Sequence, residues 1–175
     1  MKIKPKKCKV CKDIFTPTQP LQRVCTLKCA IEDGNKVKEK KWNKEKKERK
    51  EALKTNSDYV RELQVIFNKY IRLRDKDKGC ISCNKPLIGK YDAGHFYSTG
   101  SYPELRFNEM NVHGQCVYCN QHQRGAIHNY TIGLENRFNY GVIATLKALI
   151  NHPRKYTIPE LKALKIKYKE KIKML

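Results

Sequence analysis

The chain is poor in acids. Asp and Glu number 17 against 38 Lys and Arg, a formal charge of +21 over 175 residues. An excess of that size bears on partners and solubility rather than on fold. It makes a polyanion the expected partner, with nucleic acid ahead of a membrane surface. Long apolar runs are also missing. No stretch approaches the roughly 18 residues that a spanning helix needs, so no membrane role is expected. The basic start, Met1-Lys2-Ile3-Lys4-Pro5-Lys6-Lys7, has no apolar signal-peptide core, and a cytoplasmic location is the expectation. Hydrophobic residues make up 39% of the chain, enough for one modest core. No internal repeat is present, and no cysteine is left unpaired in the sequence.

All eight cysteines fall into close pairs: Cys8/Cys11, Cys25/Cys29, Cys80/Cys83 and Cys116/Cys119. In a reducing compartment that pattern favours metal over disulfides. Zinc takes four thiolates in a tetrahedron, and two close pairs brought together supply them. A secreted four-disulfide scaffold is the weaker reading, given the long cysteine-free stretches.

Composition divides the chain into four segments. Residues 1–34 hold the first two pairs and little apolar material beyond Ile14, Phe15, Leu21 and Val24. Metal must therefore supply the folding free energy. Thr16-Pro17-Thr18-Gln19-Pro20 reads as a loop, and Cys25 to Cys29 should open a helix, giving a zinc ribbon or treble-clef knuckle. Residues 35–56 form a basic helical linker. Nine positive and three negative charges lie between Lys36 and Lys50, with Lys44/Glu48 and Glu45/Arg49 at helical spacing. Lys40, Lys41 and Lys44 are candidate phosphate contacts, and a solvated face is the equally weighted alternative.

Residues 57–152 form the central domain. It opens with a helix over 57–76, capped by Ser57, with Val60, Leu63, Phe67, Tyr70 and Ile71 on one face. Strands are expected over Tyr91–Tyr97 and Asn111–Gln115, then a knuckle running from Cys116 into a helix. Helical spacing over 134–150 is weakened by Gly141 and closed by His152-Pro153. Residues 153–175 form a basic amphipathic helix behind the capping box Thr157-Ile158-Pro159-Glu160. Its stripe is Leu161, Leu164, Tyr168, Ile172 and Leu175. The fold class is thus α+β, small and zinc-stabilised.

Between the second pair of knuckles stand His95 and Asn111, and Asn120 follows directly after Cys119. A neutral histidine can deprotonate water. A divalent cation on oxygen ligands can polarise a phosphodiester and stabilise its leaving oxygen. The run Cys-x2-Cys, then histidine, then Asn-x4-Cys-x2-Cys-Asn resembles the HNH (ββα-metal) endonucleases. The N-terminal pairs with Phe15 and Pro17, the string Asp92-Ala93-Gly94-His95-Phe96 and the string Asn111-Val112-His113-Gly114-Gln115-Cys116 are more closely similar to the phage NinG (Rap) recombination proteins, over nearly the whole chain.

That resemblance implies an HNH ββα-metal core flanked by helices, phage origin and a host-cytoplasmic site of action. It implies a structure-specific endonuclease acting on branched DNA such as Holliday junctions and D-loops. His95 matches the general base, and Asn111 the asparagine that orients the base and its loop. Asn120 matches a ligand of the catalytic Mg²⁺ or Mn²⁺. Cys80, Cys83, Cys116 and Cys119 match structural zinc ligands; Cys8, Cys11, Cys25 and Cys29 make a second zinc site. Many members carry Asp or His directly before the base, where this chain has Gly94. Asp92 is the nearest carboxylate, and a bulge at Gly94 would be needed to turn it towards His95.

Arg124, one helical turn after Asn120, is a candidate phosphate clamp, with Arg106 and His113 as further DNA contacts. His113 filling a strand position is the blander reading. Symmetric cutting of a four-way junction would suit a homodimer built on the 57–76 and 157–175 helices. Two other functions stay open. One is a zinc-dependent DNA-binding recombination accessory without catalysis. The other is an HNH enzyme of restriction or homing type.

Overall fold

The computed structural model describes residues 4–138, 141–150 and 155–175. Its contacts fall into two units, Met1–Lys54 and Thr55–Leu175, rather than the four segments expected from composition. The 34/35 boundary is crossed by one continuous helix. The 152/153 boundary and the His152-Pro153 stop lie outside the described residues.

In the first unit, β1 (Lys6–Lys7) pairs antiparallel with β2 (Ile14–Phe15). The turn between them carries Cys8 and Cys11. It closes with the Lys12 amide donating to the Cys8 carbonyl at 3.1 Å, Lys12 being left-handed at φ 69°. Helix α1 (Leu27–Ala52) starts inside the Cys25–Cys29 interval, because the Thr26 side chain caps it by accepting from the Cys29 amide. Cys29 is its only buried residue. The expected pairs Lys44–Glu48 and Glu45–Arg49 form at 3.9 and 3.7 Å. Such exposed pairs contribute about 0.3–0.5 kcal/mol each, so they bias a solvated helix without building a core.

The second unit opens with α2 (Asn56–Asp75). Its cap is Thr55, not Ser57. Asp58 sits at the third helical position, where it can bond back to the Thr55 amide while the Thr55 side chain accepts from its own, completing a capping box. Leu63, Phe67, Tyr70 and Ile71 are buried as expected, and Tyr59 joins them. They pack against α5 (Ile158–Lys173), whose Leu161 and Tyr168 are buried, while Leu175 is exposed. The Thr157–Glu160 capping box is formed. The two helices considered as dimer surfaces therefore bury their apolar stripes on each other. Phe67 anchors the layer edge-on to Tyr168 and Phe107, with ring centroids 4.8 and 5.7 Å away. Burying each such side chain is worth about 1.5–3 kcal/mol.

Strands β3 (Tyr91–His95) and β4 (Val112–Cys116) form an antiparallel hairpin beside α2. The helix expected after Cys116 is present but short and of π type rather than a regular α-helix. Tyr118–His122 is a π-helical turn. Arg124, Gly125 and Ala126 then follow in left-handed conformation, at φ 48°, 87° and 46°. Helix α3 (Ile127–Phe138) begins only after this reversal, and α4 (Val142–Ile150) follows separately. The single periodic run over 134–150 is thus two helices, with Gly141 directly before the second. No described helix is long and apolar enough to cross a membrane.

Helix α3 lies hard against the first knuckle of this unit. A Cβ on Gly133 would sit 1.8 Å from the backbone oxygen of Ile81. In a free helix Gly→Ala gains up to about 1 kcal/mol. Here Gly133→Ala should instead cost about 1–3 kcal/mol through overpacking. Gly34→Ala in α1, where nothing lies within 4 Å, should not be destabilising. Thermal denaturation of both variants checks the contrast.

Candidate active centre

Two four-cysteine groups are present among the described residues: Cys8, Cys11, Cys25, Cys29 and Cys80, Cys83, Cys116, Cys119. In each, the sulfurs lie within 4.8 Å of one another. Each can hold one zinc ion. The donor chemistry fits, because backbone amides are aimed at the sulfurs. Cys25 N–H donates to Cys8 Sγ and Cys116 N–H to Cys80 Sγ, both at 3.4 Å. Burial works against thiolate formation at Cys8 and Cys80, but backbone amides, those of Val10, Cys11 and Cys25 at Cys8 and of Cys116, Cys83 and Ser82 at Cys80, outweigh it and pull both thiols below their ordinary value, Cys8 to about 6. The knuckles share one backbone device. Asn84 N–H donates to Cys80 O at 2.9 Å with Asn84 at φ 56°, repeating Lys12 on Cys8.

The second cysteine group pins the hairpin. Cys116 ends β4, and Ile81 N–H donates to Gly114 O at 3.0 Å, laying the first knuckle on the strand. A two-stranded hairpin is marginal alone; the knuckle and α2 hold this one in place.

Strand register decides which expected site residues meet. Pairing runs one-to-one from Tyr91↔Cys116 to His95↔Val112, so the strand is regular at Gly94 and lacks the bulge that would turn Asp92 towards His95. Asp92 and Gly94 share one face with His113 and Gln115, and His95 stands on the other with Ala93 and Tyr91. Asp92 is instead joined to the π-helical turn. Its Oδ2 accepts from Asn120 Nδ2 at 2.9 Å and from Gln121 Nε2 at 2.8 Å. The two residues considered as cation ligands are therefore in contact, with a third polar side chain that the sequence pattern did not single out.

Asn111 is fully buried and fastens the long loop between the strands. It donates through Nδ2 to Tyr97 O and Leu105 O at 3.0 and 3.1 Å, and accepts from Tyr97 N–H at 2.8 Å. That loop returns Arg106 to His95, whose Nε2 lies 3.1 Å from Arg106 O. A carbonyl only accepts, so Nε2 carries the proton and Nδ1 is the basic nitrogen of the neutral ring. Burial pushes the imidazole below its ordinary value, outweighing the Arg106 carbonyl, which favours the charged form.

His113 is 1% exposed and makes no surface for DNA. Its Nδ1 faces Arg74 Nη2 at 3.0 Å and its Nε2 donates to Met110 O at 3.1 Å. It fills a strand position in a buried network around Asp75, which sequence periodicity did not mark. Arg106 is half-buried and bonded to Thr99 O at 3.2 Å, so its guanidinium braces the loop. Arg124 is exposed but stands in the left-handed turn, not one helical turn beyond Asn120. Lys40, Lys41 and Lys44 are exposed along α1.

These features define a small mixed α+β chain with two cysteine groups able to bind zinc and a polar cluster on a pinned hairpin. The model for "Bacteriophage Lambda NinG protein" matches residues 1–175, and the chain belongs to the NinG family. Protein ninG of Escherichia phage 933W is 37% identical over 189 residues, covering 97% of this chain and 93% of the relative. Protein ninG of Escherichia phage lambda is 36% identical, covering 94% and 89%. That of Salmonella phage P22 is 34% identical, covering 94% and 90%. No solved structure matches.

Proposed function

We propose that the chain is an HNH-type, metal-dependent endodeoxyribonuclease acting on branched recombination intermediates such as Holliday junctions and D-loops. The observation that carries this reading is the Asp92–Asn120 contact; His95, the last residue of β3, stands on the opposite face of the strand with Nε2 tied to Arg106 O. Asp92 Oδ and Asn120 Oδ1 are the oxygens that would hold Mg²⁺ or Mn²⁺, hard cations that favour such donors. When bound, that cation supplies the positive charge that polarises the phosphate and stabilises the leaving oxygen. His95 takes a proton from water at Nδ1, while Arg106 O keeps Nε2–H in place. The water oxygen forms the new bond to phosphorus, and the bond to the leaving sugar oxygen breaks. The lysines of α1 and the +21 charge favour the phosphate backbone.

The test is cleavage of a labelled four-way junction and its matched linear duplex. Zinc-loaded wild type and His95→Ala are compared with Mg²⁺, with Mn²⁺, and with neither. We expect metal-dependent cutting of the junction. It should fall by at least about 10²-fold in His95→Ala, the usual contribution of a positioned base, with circular dichroism and junction binding retained. The wild-type rate should reach its plateau at a lower pH than an ordinary histidine of pKa about 6.5 would allow, because burial depresses this imidazole. Binding without cutting under every metal would identify a zinc-dependent DNA-binding accessory instead.

A further inference from the structure

We infer that Gln115 is an oxygen ligand of the cation site, supplying the donor that glycine at position 94 cannot. The inference rests on reading Asp92 and Asn120 as cation ligands. Gln115 is fully buried. Its Nε2 donates to Ser82 Oγ at 2.8 Å and to Gly125 O at 2.7 Å. Gly125 O can only accept, so the amide nitrogen must face it, and the side chain has one orientation. Its other end, Oε1, is buried without a hydrogen-bond partner. Leaving such an oxygen unpaired costs about 1–3 kcal/mol.

The place of that oxygen is informative. A Cβ built on Gly94 would lie 2.1 Å from Gln115 Oε1. The amide oxygen thus occupies the space where a side chain at 94 would begin. It lies on the Asp92 face, since Asp92 and Gln115 are directly opposed in the hairpin. The bond from Nε2 to Gly125 O ties the same amide to the reversal that follows the Asn120 turn, and Gly125 N–H in turn donates to Asn120 O at 3.0 Å. Asp92 on β3 and Gln115 on β4 thus share one face of the hairpin, and Asn120 on the π-helical turn bonds to Asp92. The neighbouring Tyr130 hydroxyl cannot satisfy Oε1 while it donates to Gly94 O at 2.9 Å. A neutral oxygen donor beside a carboxylate suits Mg²⁺ or Mn²⁺ rather than a softer ion. Gly94 and Gln115 form a matched pair: a larger residue at 94 requires a smaller one at 115.

Binding of Mn²⁺ to the zinc-loaded full chain, followed by the electron paramagnetic resonance of free Mn²⁺, tests the inference. Wild type, Asp92→Ala, Gln115→Ala and the exchange variant Gly94→Asn/Gln115→Ala, which returns a neutral amide oxygen without adding charge, are compared. Gln115→Ala should bind Mn²⁺ at least about tenfold more weakly, and the exchange variant should return to within a few-fold of wild type. Both lack the bonds to Ser82 and Gly125, so only a returned oxygen explains recovery. A folded exchange variant as weak as Gln115→Ala would overturn the proposal, leaving Gln115 a positioning residue. Wild-type affinity in Gln115→Ala with loss in Asp92→Ala would overturn it and leave the cation site standing. Loss in Gln115→Ala with wild-type affinity in Asp92→Ala would keep Gln115 and remove Asp92. No Mn²⁺ binding by wild type would remove both. Should Gln115→Ala fail to fold, Mg²⁺ titration of the wild type decides: the Gln115 side-chain amide NMR signals should move along the binding isotherm, and their standing still would overturn the proposal.

Discussion

Stripping zinc from the chain should unfold the first unit outright while the α2–α5 core of the second stays folded. In residues 4–54 the buried side chains are Cys8, Pro17 and Cys29. Ile14, Leu21, Leu27, Ile31, Trp42 and Leu53 all face solvent. No apolar cluster forms among these residues to offset the chain entropy of about 1–2 kcal/mol per ordered residue. Structural zinc contributes on the order of 10–16 kcal/mol at pH 7, larger than any other stabilising interaction visible in this unit. Helix α1 does not hold the unit together, because an isolated helix without a packed face is marginal in water. The second unit differs: Leu63, Phe67, Ile71, Leu161 and Tyr168 form a cluster that contains no zinc-ligand cysteine. Far-UV circular dichroism and amide NMR on the full chain, titrated with a strong zinc chelator, check this. The α1 and β1–β2 signals should collapse while those of α2 and α5 persist. A single concerted loss of both units would contradict it.

The contrast explains what the sequence could tell. Periodicity marked Leu63, Phe67, Ile71, Leu161 and Tyr168 correctly, because a buried stripe must recur at three and four residues. Cysteine spacing marked both metal groups, because thiolate geometry tolerates few alternatives. Asn111 was legible only through family resemblance; its three bonds to the loop follow from burial that no local pattern announces. For His113 a DNA contact and a strand-filling role both stood open, because charge and position are blind to depth; burial decides for the second. Asp75 and Gln115 were missed for the same reason. Asp75 closes a helix rich in charge, where an acid reads as solvated, and Gln115 alternates with His113 on a buried strand face. Arg124 was misplaced because helix continuation is the default after a knuckle, whereas the chain here widens to a π-helical turn and reverses through three left-handed residues. Two of those are not glycine, and such conformations cost about 1–3 kcal/mol each, commonly at functional sites. The register of β3 and β4 was the remaining step: a one-to-one ladder sends Asp92 to Asn120, not to His95.

Asp75→Ala should be among the most damaging single substitutions in the second unit, at about 3–5 kcal/mol, the usual cost of leaving a buried charge without its partner. The carboxylate is fully buried where α2 meets β4. It accepts from Arg74 Nε and Nη2 at 2.8 and 2.7 Å and from Gly114 N–H at 2.9 Å. Lys78, His113 and Arg137 stand within 3.3, 3.6 and 3.9 Å. Arg137 Nη1 has no other hydrogen-bond partner, so removing Asp75 deprives the Arg74 and Arg137 guanidinium groups of their shared carboxylate. Asp75→Asn, which keeps the shape and one acceptor, should cost less. Burial alone would raise this carboxyl pKa. The bonds and positive charge of Arg74, with the Gly114 amide, outweigh it and hold the group well below the carboxylate range. A folded pKa depressed in this way contributes stability that is complete above the unfolded value near 3.9 and is lost as pH falls towards the folded value. The stability gap between wild type and Asp75→Ala should therefore be widest at neutral pH and shrink below about pH 4. Urea denaturation followed by far-UV circular dichroism at pH 7 and pH 3 measures both quantities. Zinc release in acid is common to the two proteins, so the difference between them isolates the carboxylate. A gap under about 1 kcal/mol at pH 7 would mean that the cations at this junction are solvated rather than held by Asp75, and that the α2–β4 seam is secured by apolar packing alone.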